Sequence, residues 1–177
     1  VSAIIKHGLQ RMYGGGAGPN GDTDPDVFYY LTLYNENYVM PARPSHVTDL
    51  DIVQGLYKWA DAPQGTSKRV TLLFSGSAQG AARAAAAELA EHWDVGAELW
   101  SATSYKTLRE DALAAERWNR LNPPQVARTP LVTELMADTP GPIVAVSDFM
   151  KIVPEQIARL VPGRPFVPLG TDGMGRS

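Results

Sequence analysis

No cysteine occurs in these 177 residues. Its absence removes disulfides, thiolate nucleophiles, iron–sulfur clusters and cysteine zinc sites, and fits a cytoplasmic protein. Histidine is scarce: His7, His46 and His92 stand far apart at no metal-ligand spacing, so no metal site is expected. Neither sign of charge dominates. The formal net charge of -3 proposes neither a nucleic-acid partner nor a disordered acidic tail. No apolar run reaches the roughly 20 residues needed to span a bilayer, so no membrane partner is expected. No initiator methionine or signal-peptide layout opens the chain, and Val1 to His7 reads as the inside of a helix. The length suffices for one domain with a real core, or for one domain plus a remnant of another.

What is present is organised around Leu31 to Pro44, where an apolar aromatic run stops in amides, a carboxylate and prolines. Val27 to Leu33 has strand composition, and Pro41 and Pro44 forbid a helix or central strand beyond it. The stretch therefore reads as a strand end and a hinge. Before it, Ile5, Gly8, Leu9 and Met12 recur at helical spacing, and the glycine-rich Gly14 to Gly21 makes a flexible surface loop. That loop follows a helix and precedes a strand, the wrong order for a phosphate-binding turn.

After the hinge, Asp49 to Trp59 predicts a helical turn and an edge strand. Val70 to Phe74, Glu98 to Ser101, Ile143 to Val146 and Phe166 to Leu169 predict further strands. Helices are predicted between them: Ala78 to Trp93 with Ala78, Ala81, Ala82, Ala85 and Leu89 inward and Val95-Gly96 as its end; one capped by Thr107 and Glu110 with Leu108, Ala112, Ala115 and Leu121 inward; a short one from Thr129-Pro130; and Pro154 to Val161. Strand–helix alternation with continuously apolar strands implies an α/β fold, a Rossmann-like, mostly parallel sheet with helices on both faces. The chain ends in a glycine-rich loop after a strand, so a fragment is expected.

Chemistry is thinly signalled. Ser75 to Gly80 follows a strand and opens a helix, where Rossmann-like folds bind phosphate, but its glycine spacing departs from G-x-G-x-x-G. No acidic residue ends the next strand to hold a ribose unless Glu98 is forced into the role, and the plainer reading is a tight turn with Ser77 as cap. Asn35, Glu36, Asn37 and Tyr38 form the densest hydrogen-bonding cluster. A lone carboxylate there suits structure or an interface better than acid–base work. Asp172 and Arg176 read as a pair in a glycine loop or as a contact to a neighbouring subunit. Nothing resembles a nucleophile elbow.

A series of motifs runs through the whole chain: L-Y-N-E-N-Y-V-M-P at 33 to 41, G-L-Y-K-W at 55 to 59, S-G-S at 75 to 77, S-A-T-S-Y at 101 to 105, E-R-W-N at 116 to 119, S-D-F-M-K at 147 to 151 and G-T-D-G-M-G-R-S at 170 to 177. In this order they resemble the homodimeric bacterial type of pyruvate dehydrogenase, the thiamine-diphosphate-dependent first component of the pyruvate dehydrogenase complex. The resemblance implies residues 1–44 as the last helix and strand of a pyrimidine-binding, thiamine-binding α/β domain plus the hinge, and 45–177 as a truncated carboxy-terminal domain of transketolase type. It implies thiamine diphosphate and magnesium bound by ligands upstream, so no catalytic, cofactor-binding or metal residue is assigned within this chain. It further implies a second subunit of a homodimer and a lipoylated dihydrolipoyl acyltransferase core as partners. Oxidative decarboxylation of pyruvate with acetylation of lipoyl groups is the activity expected of the whole enzyme, this segment being mainly structural and dimer-supporting. The alternatives are a transketolase-type enzyme acting on sugar phosphates, and a free-standing Rossmann-like interaction or nucleotide-binding module.

Overall fold

The computed structural model describes residues 1–19, 21–35, 37 and 39–173. Helix α1, Ser2–Tyr13, ends where the Gly14 N–H bonds the Gln10 carbonyl. Its inward face differs from the expected one. Ala3 and Gly8 are buried, whereas Ile5 and Leu9 are exposed. The reason is what the helix packs on: the Tyr29 ring lies against Gly8, where an added Cβ would sit 3.2 Å from it, and only glycine permits that approach. The same face carries polar residues that tie down the following glycine-rich loop. His7 Nε2 donates to the Ala17 carbonyl at 3.0 Å, which leaves Nδ1 to accept from Tyr29 Oη at 2.8 Å. Arg11 donates to the Asp24 carbonyl at 3.1 Å and to the Asp22 carboxylate. The loop expected to be free on the surface is thus tied at several points.

Val27 to Leu33, expected as a strand, has no ladder partner among the described residues. It keeps the strand's period of two: Val27, Tyr29 and Leu31 turn inward, while Phe28 and Tyr30 are 90% and 84% exposed. Composition sets the extended backbone, but a strand exists only when another edge accepts its amides.

Beyond the hinge, α2 (Asp49–Gln54) is fixed by a capping box in which Thr48 Oγ1 accepts from the Asp51 N–H and Asp51 accepts from the Thr48 N–H. Gly55, left-handed at φ 102°, turns the chain into strand β1, Leu56–Ala60. The sheet is completed by β2 (Lys68–Phe74), β3 (Val95–Ala102), β4 (Ile143–Met150) and β5 (Phe166–Thr171) in the order β1-β3-β2-β4-β5. β1 is an antiparallel edge and the other pairings are parallel, as the sequence predicts.

The sheet has a core on each face. On one, Val70, Leu72, Phe74, Ala97 and Leu99 meet Ala82 of α3, Gln79–Trp93. On the other, Leu73, Trp100, Ile143 and Ala145 meet Leu108 and Ala112 of α4 (Tyr105–Leu121), Val132 and Met136 of α5 (Leu131–Met136), and Ile157 and Leu160. The expected last helix is broken into α6, Ile152–Glu155, and a 3-10 turn at Ala158–Leu160.

Four local expectations are corrected. Helix α3 turns Ala82, Ala86 and Leu89 inward and exposes Ala81 and Ala85, because alanine on nearly every side leaves its rotation undetermined by periodicity. The helix ends at Asp94, left-handed at φ 55°, whose carboxylate accepts from the Ser67 N–H at 3.1 Å and from its hydroxyl. Val95-Gly96 therefore already belongs to β3. Helix α4 is capped not by Thr107 but by Ser104, which accepts from the Thr107 N–H at 3.1 Å, and Leu121 at its far end is 67% exposed.

Candidate functional site

The chain leaves β2 through α3 to reach β3 on one side, then returns through α4 and α5 to β4 on the other. β2 and β4 are therefore neighbours whose connections run to opposite faces. The carboxyl ends of two such strands form the crevice where α/β sheets of this kind take ligands.

Three segments meet there. β2 ends in Ser75 and a 3-10 turn, Gly76–Ala78, which leads into α3. β4 contributes Ser147-Asp148-Phe149. The 31–44 stretch contributes Tyr34. The Asp148 carboxylate accepts from Tyr34 Oη at 2.7 Å on Oδ1 and from Ser77 Oγ at 2.7 Å on Oδ2. Gly76 is left-handed at φ 55°, and a Cβ there would lie 2.8 Å from Tyr34 Oη and 2.9 Å from its Cε2. Ser75 Oγ is buried without a hydrogen-bond partner among the described residues.

A cavity of about 1650 Å³ opens beside this turn, walled by aromatic side chains including Tyr29, Tyr34, Trp59, Phe74 and Tyr105. The Tyr105 hydroxyl is likewise buried without a partner among the described residues. Burial pushes its pKa up, so it stays neutral and offers no base.

The residues singled out from sequence fare unequally. Asn35 and Asn37 follow Tyr34 and are exposed, while Glu36, Tyr38 and Arg176 lie outside the described residues. Asp172 pairs with Lys151, Nζ to Oδ1 2.5 Å. The hydrogen bond and charge of Lys151 lower the Asp172 pKa, and Asp172 raises that of Lys151. Ser77 is not a helix cap, because its hydroxyl goes to Asp148. Glu98 is unavailable to a ribose: it is buried within β3, accepts from Trp100 Nε1 at 2.7 Å and pairs with Lys58 at 3.0 Å. His46 bonds the Lys58 carbonyl at 3.0 Å, and His92 lies near Glu91 at 4.0 Å. No three His, Cys, Asp or Glu side chains group to hold a metal among the described residues.

Tyr34 and Asp148 escaped sequence reading because 114 positions separate them, and strand order is invisible to periodicity. The available signal was the pairing of two polar strand ends, S-G-S after β2 and S-D after β4.

Comparison with known proteins agrees with this architecture. Residues 55–177 match the family described as the transketolase-like TK C-terminal domain. All of the chain aligns with proteins named pyruvate dehydrogenase E1 component, at 45% identity in Mycolicibacterium smegmatis, 40% in Escherichia coli and 38% in Mycobacterium tuberculosis. The chain spans 18%, 19% and 18% of those proteins respectively. From its five-stranded, mostly parallel sheet and this match, the chain belongs to the transketolase-like family, with residues 55–177 forming a carboxy-terminal domain of that type.

Proposed function

We propose that these residues are the carboxy-terminal part of a homodimeric pyruvate dehydrogenase E1 component. The whole chain catalyses thiamine-diphosphate-dependent oxidative decarboxylation of pyruvate and reductive acetylation of lipoyl groups in the cytoplasm. Residues 1–44 end the pyrimidine-binding domain, and 45–177 form most of the carboxy-terminal one. The supporting observation is that the alignment with proteins of that one name covers residues 1–54 as well as the transketolase-like match at 55–177, the identity over the whole chain being 45% in Mycolicibacterium smegmatis and 40% in Escherichia coli.

Thiamine diphosphate supplies the electron sink for decarboxylation when bound. As the resemblance implies, the diphosphate and magnesium ligands are assigned to an upstream part of the whole enzyme. The role left to this segment is architectural: it supports the dimer and orders the seam at 31–44. The expected partners are a second subunit and the lipoylated acyltransferase core.

The test is an assay of the complete chain with pyruvate and a lipoyl acceptor, set against xylulose phosphate. Acetyl-lipoyl formation that depends on added thiamine diphosphate and magnesium is expected. Turnover of the sugar phosphate instead would overturn the reading. Removing everything after Pro44 is expected to weaken the dimer, and an unchanged dimer constant would overturn the supporting role.

A further inference from the structure

We infer that the crevice between β2 and β4 is a socket for a phenol, and that its ligand is Tyr34 of the chain's own connecting segment rather than a phosphate or nucleotide. The inference rests on the reading above only in treating 31–44 as a seam between domains of a longer chain.

The socket's chemistry matches a phenol. A carboxylate, Asp148, stands beside the turn that opens α3, and each of its oxygens already accepts a hydroxyl, Tyr34 Oη at 2.7 Å and Ser77 Oγ at 2.7 Å. An anion arriving at the same turn would meet that negative charge instead of a free helix terminus. Gly76 supplies the shape, since the tyrosine ring occupies the space a side chain would need. The backbone on either side is tied as well. The Ser75 N–H bonds the Val146 carbonyl at 3.3 Å and the Ala78 N–H bonds the Ser75 carbonyl at 3.2 Å, so backbone bonds hold the turn together with the Tyr34 contact. The Ser75 hydroxyl, buried without a partner among the described residues, is a group at this turn still open to a rival ligand.

The consequence is that the position where related folds recognise a ligand here recognises the preceding segment. One phenol fixes where the chain crosses onto the sheet. Tyr34 and Asp148 both keep contact with solvent, so losing the contact frees the crossing without unfolding the domain.

The experiment is hydrogen–deuterium exchange on the complete chain, comparing wild type with Tyr34→Phe, Asp148→Asn and the double variant. Exchange in peptides covering 31–41 and 75–79 is expected to rise about three- to tenfold in each single variant. The double variant should rise by less than the two single variants summed, because both weaken the same Tyr34–Asp148 contact while Asp148→Asn also disturbs the bond from Ser77, and peptides from β1 and α4 should not change. Tyr34→Phe removes a single oxygen, so this arm does not depend on Gly76→Ala, whose left-handed backbone strains any side chain.

Unchanged exchange in either single variant, additive effects in the double, or a rise spread over the whole sheet would each overturn the socket. So would protection of 75–80 in the wild type by inorganic phosphate or ADP. Pyruvate turnover is measured in parallel: a chain without it fails as a pyruvate dehydrogenase, whatever the exchange at Tyr34 shows.

Discussion

Glu98 and Lys58 join two neighbouring strands across the inner surface of the sheet, Lys58 Nζ lying 3.0 Å from Glu98 Oε1. The carboxylate is buried and also accepts from the Trp100 indole at 2.7 Å, while the ammonium reaches Asp61 at 3.1 Å. Burial alone would lower the Lys58 pKa, but its hydrogen bonds to Glu98 and Asp61 outweigh this and raise it. Lys58→Met leaves a buried carboxylate with one donor and should cost about 1–3 kcal/mol. Glu98→Gln keeps an acceptor for the indole and should cost less. Urea midpoints of the two variants decide the order; equal midpoints would show that the charge is idle.

Four carboxylates predict the acid limit of the fold. Asp49, Asp94, Glu116 and Asp172 are all held below their usual values, chiefly by hydrogen bonds from Arg43, Ser67, Arg159 and Lys151. A depressed carboxylate stabilises the fold above its unfolded pKa, 3.8 for aspartate and 4.5 for glutamate. That contribution is lost as pH falls through the lower folded value. Stability should therefore be flat near neutrality and fall below about pH 5. Glu116→Gln should flatten part of that fall, as read from denaturation midpoints across the acid range.

Arg164 closes the carboxyl end of α5. Its guanidinium donates to the Met136 and Thr139 carbonyls and to Thr139 Oγ1. Arg164→Lys cannot reproduce that planar fork, and Arg164→Ala should cost about 1–3 kcal/mol by taking the guanidinium donor from the carbonyl of the buried Thr139. The lysine variant is expected to recover less than half of the loss in thermal midpoint.

Leu108 and Leu121 on α4 test which face of that helix is the core. Leu108 is fully buried and Leu121 is 67% exposed, although both fit an apolar helical stripe in sequence. Leu108→Ala should cost about 2–5 kcal/mol, and Leu121→Ala within about 0.5 kcal/mol. Comparable losses would return Leu121 to the core.

Those two leucines show where sequence reading ends. The continuous apolar runs at Val70 to Phe74 and Ile143 to Val146 declared buried parallel strands, and strand order is all the structure had to add. Helix rotation was harder to read. In α3 alanines stand on almost every side, and in α4 Leu121 keeps the period although it is exposed at the helix end. Caps at Ser104 and Asp94 were missed because a neighbouring Thr107-Glu110 pair and a following glycine, Gly96, carry the same signal one turn or two residues away. The Tyr34–Asp148 contact was beyond reach because both partners are local only in the folded chain. For Glu36, Tyr38 and Arg176 the sequence reading stands alone.

The extended run at 27–33 has a consequence for handling the protein. It presents a backbone edge without a ladder partner among the described residues, with Phe28 and Tyr30 projecting into water, the surface on which β-aggregation templates itself. Produced by itself, the 177-residue chain should self-associate through this run as concentration rises. A version starting at Ser45 should stay monodisperse, and light scattering would separate the two.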